Sequence, residues 1–346
     1  MIGDPGGKSS ERPLVSPEEI DVNAKRIHQQ LRQLFNAAEA GTGCRVRDNA
    51  DWLLDLRAVA FMRDVGKHFS VNYMLAKESV QSRLEGGISY TEFSYMLLQA
   101  YDYLQLFQSA GVTLQVGGSD QWGNITAGTE LVRRSTGGEA HALTAPLVTT
   151  SSGKKFGKTE GGAVWLDATL TSPYRFYQFW INTDDADVGK YLSMFTFLDK
   201  STIRDLRRTQ AEAPQNRPAQ KMLAREMTDM LHGTQARETA EGVSRVIFDK
   251  KLDPASIADE VYETLAAEIP SMRQPKAAAL DVLDVLEQAL GQSRSAGRKL
   301  VQQGSVTVNG EKLDATSLTV PRDRAVRGRW FLVRKGGRDI ALADVG

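Results

Sequence analysis

The sequence predicts an α/β domain, then a helical domain, then a small α+β module. Short β-like runs and glycine turns alternate with amphipathic helices early in the chain, as in α/β layer folds. The middle of the chain has apolar residues at helical spacing, and the end has strand-like runs with hairpin turn signals. The expected boundaries are 1–165 for the α/β domain, 166–250 for the helical domain, 251–278 for a linker and 279–346 for the C-terminal module.

The α/β prediction rests most clearly on one strand–turn–helix segment. Residues 113–116 form a strand-like run, Gly117 and Gly118 follow as a turn, and Ser119 can cap a helix that extends to Arg134. This order places a loop at the carboxyl end of a strand. Open α/β sheets bind their ligands at that edge, although a plain tight turn is the alternative.

The helical domain is predicted from two sets of apolar residues at helical spacing. They are Val188, Tyr191, Leu192 and Phe195 in the first set, and Leu223, Met227, Met230 and Leu231 in the second. Gly233 ends the second helix. Pro270 and Pro275 then interrupt a charged and alanine-rich stretch, which predicts the linker.

The C-terminal module combines helices, hairpins and positive charge. From residue 291 onwards there are eleven Lys and Arg against five Asp and Glu, although the whole chain has no net charge. This excess favours a polyanionic partner such as RNA, and a solvated surface with a chance excess of charge is the alternative. The predicted elements are helices at 280–290 and 293–303, a tight turn at Asn309-Gly310, and a hairpin of 330–333 with 340–342.

The composition excludes several classes of protein. The 346 residues are 41% hydrophobic and carry 43 basic and 43 acidic side chains, which is typical of a folded chain and not of a disordered one. No apolar run approaches the roughly 18 residues of a membrane helix, so no membrane partner is expected. One cysteine, Cys44, and four scattered histidines give no zinc-ligand spacing. We therefore expect a cytoplasmic protein without zinc or another resident metal.

Three polar side chains share one face of an otherwise apolar helix: Tyr95, Gln99 and Asp102. Their spacing of four and three residues places them above one another on the helix surface. Polar groups in a buried helix need hydrogen-bond partners, and a bound ligand can supply them. The alternative is a polar stripe that faces water.

Two lysine-containing segments can contact phosphate. Lys154, Lys155 and Lys158 lie within five positions between small flanking residues, where mobile ammonium groups can stabilise a departing polyphosphate. Near the amino terminus glycines precede Lys8 and Arg12, but the spacing is one residue short of the Walker pattern. The alternatives are a solvated loop and a polar surface turn.

In combination, these segments resemble the bacterial tyrosyl-tRNA synthetases of class I. Lys155-Phe-Gly-Lys-Thr159 resembles the KMSKS loop of that class, and Gln115-Val-Gly-Gly-Ser-Asp-Gln-Trp-Gly-Asn124 resembles the loop that contacts nucleotide and amino acid. The family pattern is also matched by segments 2–12 and 61–69 and by the helix that contains Asp102. The C-terminal tail resembles the RNA-binding module named after ribosomal protein S-four. The resemblance covers essentially the whole chain. It implies a Rossmann-like parallel sheet in the α/β domain.

The resemblance also implies a role for each matching residue. Asp102 is assigned to the phenol of tyrosine, and Tyr95, Gln99 and Asp4 to its ammonium group. The remaining assignments are Gln115 and Gln121 to the pocket lining; Gly118, Asp120 and Lys158 to ATP; Lys8, Arg12, Lys155, Lys158 and Thr159 to catalysis at the leaving pyrophosphate; and Arg294, Arg298 and Lys299 to RNA.

The implied reaction is tyrosine activation by ATP followed by transfer to tRNA(Tyr). ATP enters as a substrate with Mg²⁺, and the family forms homodimers through an insertion that here contains residues 52–81. A pocket that hydrogen-bonds a phenol rejects phenylalanine, so no editing domain is expected. The alternatives are an RNA-binding paralogue that has lost catalysis, and a tryptophan enzyme, which Asp102 at the side-chain end of the pocket disfavours.

One departure from the family pattern concerns the first strand and helix. Class I synthetases carry a HIGH-type signature there, and this sequence contains no His-x-Gly-His. The resemblance implies that this strand, its helix and a tyrosine-contacting residue lie upstream of residue 1. Either the start codon was assigned inside the gene, which the intact remaining motifs favour, or the protein is truncated. If the protein is truncated to these 346 residues, negligible tyrosyl-adenylate formation is expected, and robust tyrosine-dependent pyrophosphate exchange would contradict that expectation.

Overall fold

The computed structural model describes residues 2–4, 15–38, 44–84, 86–153, 156–159, 162–275, 278–337 and 339–346. Side chains are described for these residues except 36–38, 78, 79, 82, 158 and 159. The chain divides into two compact units, residues 1–156 and 157–346. Within the described ranges, no helix is both long and apolar enough to cross a bilayer.

The first unit is a helical layer beside a pair of parallel strands. The strands at 114–118 and 141–145 run parallel with Leu114 opposite His141, as expected for an α/β domain. The elements are α1 (Pro17–Ala38), α2 (Ala50–Leu53), α3 (Ala58–Asp64), α4 (Val71–Leu75), α5 (Glu78–Leu84), α6 (Tyr90–Ala110), β1 (Leu114–Gly118), α7 (Trp122–Thr136) and β2 (His141–Ala145).

Helices α6 and α7 form the centre of this unit. Helix α6 begins at Ser89, whose hydroxyl accepts from the Glu92 amide, and ends at Gly111 in the left-handed conformation. Its buried side chains contact α7 in an apolar cluster that includes Leu97, Leu104 and Leu131. The layer therefore holds the polar face of α6 in a fixed position.

Gly128 of α7 allows the close contact between α6 and α7. An added Cβ would lie 2.8 Å from Cδ1 of Tyr103, which is fully buried and donates from its hydroxyl to the His141 carbonyl at 2.7 Å. We expect Gly128→Ala to lower the free energy of unfolding by about 1–3 kcal/mol, because overpacking outweighs the gain in helix propensity.

Urea unfolding measures this effect. The matched control is Gly123→Ala in the same helix, where the nearest atom to an added Cβ is Lys77 Cδ at 3.5 Å. That control should be neutral or stabilising. Equal stability of the Gly128→Ala variant and the unsubstituted protein would contradict the packing argument.

Glu130 on α7 gives a pH-dependent contribution to stability. Hydrogen bonds from Arg133 and Arg134 lower the pKa of Glu130 to about 2. Because this pKa lies below the ordinary value of 4.5, the stabilisation is present above about pH 4.5 and is lost as the pH falls towards 2. The carboxylate is partly solvated, so we expect Glu130→Gln to cost at most about 1 kcal/mol at pH 7. Chemical unfolding at several pH values should show the two proteins converging near pH 2, and a constant difference would contradict this.

The second unit contains a helical body at residues 173–248, a connecting helix at 259–268, and a mixed sheet with two further helices. Its first elements are β3 (Lys158–Thr159), β4 (Gly162–Ala163), α8 (Pro173–Ile181), α9 (Asp185–Phe195), α10 (Lys200–Glu212), α11 (Pro218–His232), α12 (Thr234–Phe248) and α13 (Asp259–Glu268). They are followed by β5 (Ser271–Arg273), β6 (Ala279–Asp281), α14 (Val282–Gln288), α15 (Arg294–Gln302), β7 (Val306–Val308), β8 (Glu311–Lys312), β9 (Thr319–Pro321), β10 (Trp330–Lys335) and β11 (Asp339–Asp344).

The helical spacing at 188–195 and 223–231 is confirmed by α9 and α11, which ends at Gly233 as predicted. The module also follows its turn signals. Asn309 and Gly310 both have positive φ, 52° and 85°, and join β7 to β8 as a hairpin. Strands β10 and β11 form the second hairpin, and the described sheet has the order β5-β11-β10-β7-β8.

The segment predicted as a linker, 251–278, is largely ordered secondary structure instead. It contains α13 and the strand β5, which pairs in parallel with β11. The prolines mark the ends of elements and not a hinge: Pro270 accepts a hydrogen bond from the Leu342 amide just before β5 begins. An edge strand tolerates proline beside it because only one side of the strand is paired.

Candidate active site

Asp102 is held by two donors from the segment that precedes α2 and from α2 itself. Asn49 Nδ2 donates to Asp102 Oδ2 at 3.0 Å, and Trp52 Nε1 donates to Asp102 Oδ1 at 2.7 Å. Burial raises the pKa of Asp102, while the hydrogen bonds from Asn49 and Trp52 oppose that shift. The carboxylate is therefore fixed in orientation, and each oxygen retains a lone pair for a further donor.

The three polar residues predicted to share a face all lie on α6. Tyr95 and Gln99 are partly buried, as Asp102 is. The three side chains are therefore neither fully buried nor fully exposed. Asn49 and Trp52 were not predicted, because they lie some 50 positions away in the chain and follow no periodic pattern.

A second group of polar side chains lies where β1 meets α7. Gln121 Nε2 donates to Asp4 Oδ2 at 2.7 Å, and Asn124 Nδ2 donates to Gln121 Oε1 at 3.1 Å. Gln115 on β1 has its side-chain oxygen buried without a hydrogen-bond partner among the described residues. The structure thus brings Asp4 and Gln121 together, although they are 117 positions apart.

Gly118 ends β1 directly beside Asp120. An added Cβ would lie 2.5 Å from Asp120 Oδ1 and 3.0 Å from Leu147 Cδ2. The backbone of Gly118 has φ −71° and ψ 160°, which any residue can adopt, so a larger residue here is limited by space and not by backbone conformation. Asp120 is exposed, and its carboxylate accepts from Gln121 Nε2 at 3.4 Å.

The lysine-rich loop and the amino-terminal segment are described only in part. Lys155, Lys8 and Arg12 lie outside the described residues. Lys158 and Thr159 form β3, which pairs with β4 in a short hairpin of the second unit, and their side chains are not described. Gly157 and Gly162 have φ of 81° and 110°, a backbone conformation that glycine favours at such turns.

The three basic residues predicted to bind RNA lie on α15 of the module. Arg298 and Lys299 are exposed. Arg294 is also exposed, and it donates to the carboxylates of Asp281, at 2.7 Å, and Asp284 at the start of α14. Its guanidinium ties the two helices to each other, a function that the charge count along the sequence did not indicate.

Comparisons with known proteins agree over the whole chain. Residues 1–249 match the family described as "tRNA synthetases class I (W and Y)", and residues 260–343 match the "Tyrosine--tRNA ligase SYY-like C-terminal domain". The chain is 50% identical to the tyrosine–tRNA ligase of Anaeromyxobacter dehalogenans over 348 aligned positions, covering 100% of this chain and 82% of that protein. It is 47% identical to the enzyme of Geobacillus stearothermophilus over 345 positions, covering 99% and 81%.

A solved structure shows the same fold. The C-terminally truncated mitochondrial tyrosyl-tRNA synthetase of Aspergillus nidulans superposes with a TM-score of 0.62 at 31% sequence identity. The match covers 71% of this chain and 73% of that one. The α/β class I fold with a parallel sheet, a helical domain and a small C-terminal domain is thereby confirmed. The chain belongs to the bacterial tyrosyl-tRNA synthetases of class I.

Proposed function

We propose that the chain joins tyrosine to ATP as tyrosyl-adenylate and then transfers the tyrosyl group to tRNA(Tyr). The observation that carries this proposal is the oriented carboxylate of Asp102. A phenol hydroxyl can donate to such a carboxylate, and a phenylalanine side chain would leave it buried without that donor. Tyr95, Gln99 and Asp4 supply acceptors for the ammonium group, and Gln115 and Gln121 complete the polar lining.

The chemistry needs placement and charge stabilisation, and no protein nucleophile. A carboxylate oxygen of tyrosine forms a bond to the α-phosphorus of ATP while the bond to pyrophosphate breaks. Negative charge builds on the departing pyrophosphate. We assign its stabilisation to Lys8, Arg12, Lys155, Lys158 and Thr159.

The ATP ribose is assigned to Gly118 and Asp120, and Lys158 also contacts the nucleotide. The narrow space at Gly118 supports this role, because a backbone without a side chain lets the ribose approach. Mg²⁺ is proposed to enter with ATP. Within the described part of the chain no group of three or more His, Cys, Asp or Glu side chains is placed to hold a metal, and Mg²⁺ usually binds through substrate phosphates with one or two carboxylates.

We also propose that the chain forms a homodimer through the insertion that contains residues 52–81. Large apolar side chains are exposed there: Leu54 is 64% exposed, Val59 84% and Val71 59%. Large apolar side chains exposed to this extent are favoured at obligate interfaces. Analytical ultracentrifugation should show a dimer that Val59→Asp dissociates, and a monomer at micromolar concentration would contradict the proposal.

Binding measurements test the function independently of turnover. Equilibrium dialysis should show tyrosine bound, with phenylalanine and tryptophan bound at least 10²-fold more weakly. Filter binding should show tRNA(Tyr) preferred over a non-cognate tRNA. Tyrosine-dependent pyrophosphate exchange reports the catalytic step separately.

A catalytically inactive RNA-binding paralogue is not favoured, because the chain is 45–50% identical to curated tyrosine–tRNA ligases along its length. That paralogue would bind tRNA without selecting tyrosine over phenylalanine. Equal affinity for the two amino acids would therefore contradict the proposed function. We further propose a cytoplasmic location, where tRNA charging for bacterial protein synthesis takes place.

A further inference from the structure

The guanidinium of Arg334, on β10 of the module, contacts the last turn of α12 in the helical body. Its Nη1 donates to the Ile247 carbonyl at 3.0 Å, and its Nη2 donates to the Val246 carbonyl. Carbonyls in the last turn of a helix lack intrahelical partners and carry the negative end of the helix dipole. Arg334 therefore acts as a C-terminal cap that is supplied by a different part of the fold.

Helix α13 joins the same two parts by side-chain packing. Tyr262 on α13 stacks on Trp330 of β10 with a centroid separation of 5.8 Å and an interplanar angle of 16°. Both rings are buried, at 0% and 1% exposure. The neighbouring Val261 of α13 approaches α12 so closely that a Cβ added to Gly242 would lie 2.7 Å from Val261 Cγ2. The helical body, α13 and β10 are thus in continuous contact.

Two further arginines near β10 strengthen this connection. Arg327 Nε donates to the Ile257 carbonyl at 3.0 Å, and Arg329 Nη1 pairs with Glu263 at 3.1 Å. Arg327 and Arg329 contact the segment around α13, whereas Arg334 contacts α12 itself. Loss of Arg334 would therefore remove these hydrogen bonds to α12 and leave the contacts to the α13 segment in place.

We propose that Arg334 is a positioning residue for RNA, which fixes the C-terminal module against α12. Arg298 and Lys299 on α15 are then held at a constant distance from exposed basic residues of the helical body, such as Lys200 and Arg204 on α10. An RNA that contacts both α15 and α10 binds more tightly than one that contacts α15 alone. Once the RNA is bound at one helix, its contact with the other forms at high effective concentration. We take this RNA to be tRNA(Tyr), and in that respect the inference rests on the proposed function.

The test compares two RNAs with two Arg334 variants of the full chain. Arg334→Met keeps the bulk of the side chain and removes the donors, whereas Arg334→Lys keeps a charged donor. We expect Arg334→Met to weaken tRNA(Tyr) binding about tenfold, through lost preorganisation, and to leave the affinity for a short stem–loop RNA within about twofold. Arg334→Lys should restore part of the loss. The stem–loop is chosen short enough to contact only the module, so this difference separates positioning from a direct contact.

The matched control is Arg324→Met, which removes one positive charge from the module at an ion pair with Glu311 and not at α12. It should reduce the binding of both RNAs equally and slightly. Hydrogen exchange supplies a second readout: in Arg334→Met the amides at the end of α12, residues 245–249, should exchange about tenfold faster.

Three results would overturn the inference. They are unchanged tRNA(Tyr) affinity in Arg334→Met, equal loss of both RNAs in that variant, or unchanged exchange at the end of α12. If the unsubstituted chain bound neither RNA, the proposed function would fail, and hydrogen exchange would still decide whether Arg334 fixes the module.

Discussion

Asp102→Asn should weaken tyrosine binding about 10²-fold, because the substitution replaces a charged acceptor by an amide that presents a donor towards the donors of Asn49 and Trp52. Phenylalanine binding should change little, so the selectivity between the two amino acids falls by the same factor. Tyrosyl-tRNA synthetases are themselves the standard example of this kind of discrimination. Equilibrium dialysis with labelled tyrosine and phenylalanine measures both affinities.

The pH dependence gives a second signature of the same carboxylate. Burial raises the pKa of Asp102. Its carboxyl group therefore becomes charged at a higher pH than the carboxyl group of a solvated aspartate does. Tyrosine binding should weaken as the pH falls towards that raised pKa, and Asp102→Asn should lack this dependence. The control is Asp21→Asn, at an exposed carboxylate that pairs with Lys25 on α1. Unchanged selectivity in Asp102→Asn would show that the phenol is recognised elsewhere.

Gly118→Ala should weaken the binding of a tyrosyl-adenylate analogue by about tenfold to a hundredfold. The added Cβ would come within 2.5 Å of Asp120 Oδ1, so the carboxylate must turn away from the position assigned to the ribose. Losing a charged hydrogen bond of this kind costs about 1.5–3 kcal/mol. Calorimetric titration with a non-hydrolysable sulfamoyl analogue measures the affinity.

A double-mutant cycle with Asp120→Ala identifies the mechanism. If Gly118→Ala acts by displacing Asp120, the double variant should bind the analogue no more weakly than Asp120→Ala alone. If the two losses add, the alanine methyl group obstructs the ligand directly and the displacement of Asp120 is not the cause.

Local sequence chemistry predicted those features of the fold that depend on neighbouring residues. Asn309 and Gly310 tolerate positive φ, and the tight hairpin between β7 and β8 forms there. The helix face of Tyr95, Gln99 and Asp102 follows from the 3.6-residue period. Both signals lie within a few positions of the chain, where propensity and periodicity act directly.

The features that the sequence did not reveal depend on contacts between distant residues. Trp52 and Asp102 are 50 positions apart, and no pattern relates an indole to a carboxylate before the chain folds. Pro270 and Pro275 are compatible both with an irregular linker and with a segment of short ordered elements. The packing of Tyr262 on Trp330, which orders this segment, depends on residues far apart in the chain. A count of charges likewise does not reveal that Arg294 pairs with Asp281, 13 positions away.

The outermost strands of the sheet in the C-terminal module affect how copies of the protein meet. One edge is β8, only two residues long and made of exposed Glu311 and Lys312, and the other is the three-residue β5. Strands this short, with charge on one of them, are poor templates for intermolecular β-pairing and protect the module from edge-to-edge aggregation. A concentrated solution of this protein should therefore resist fibril formation through the module.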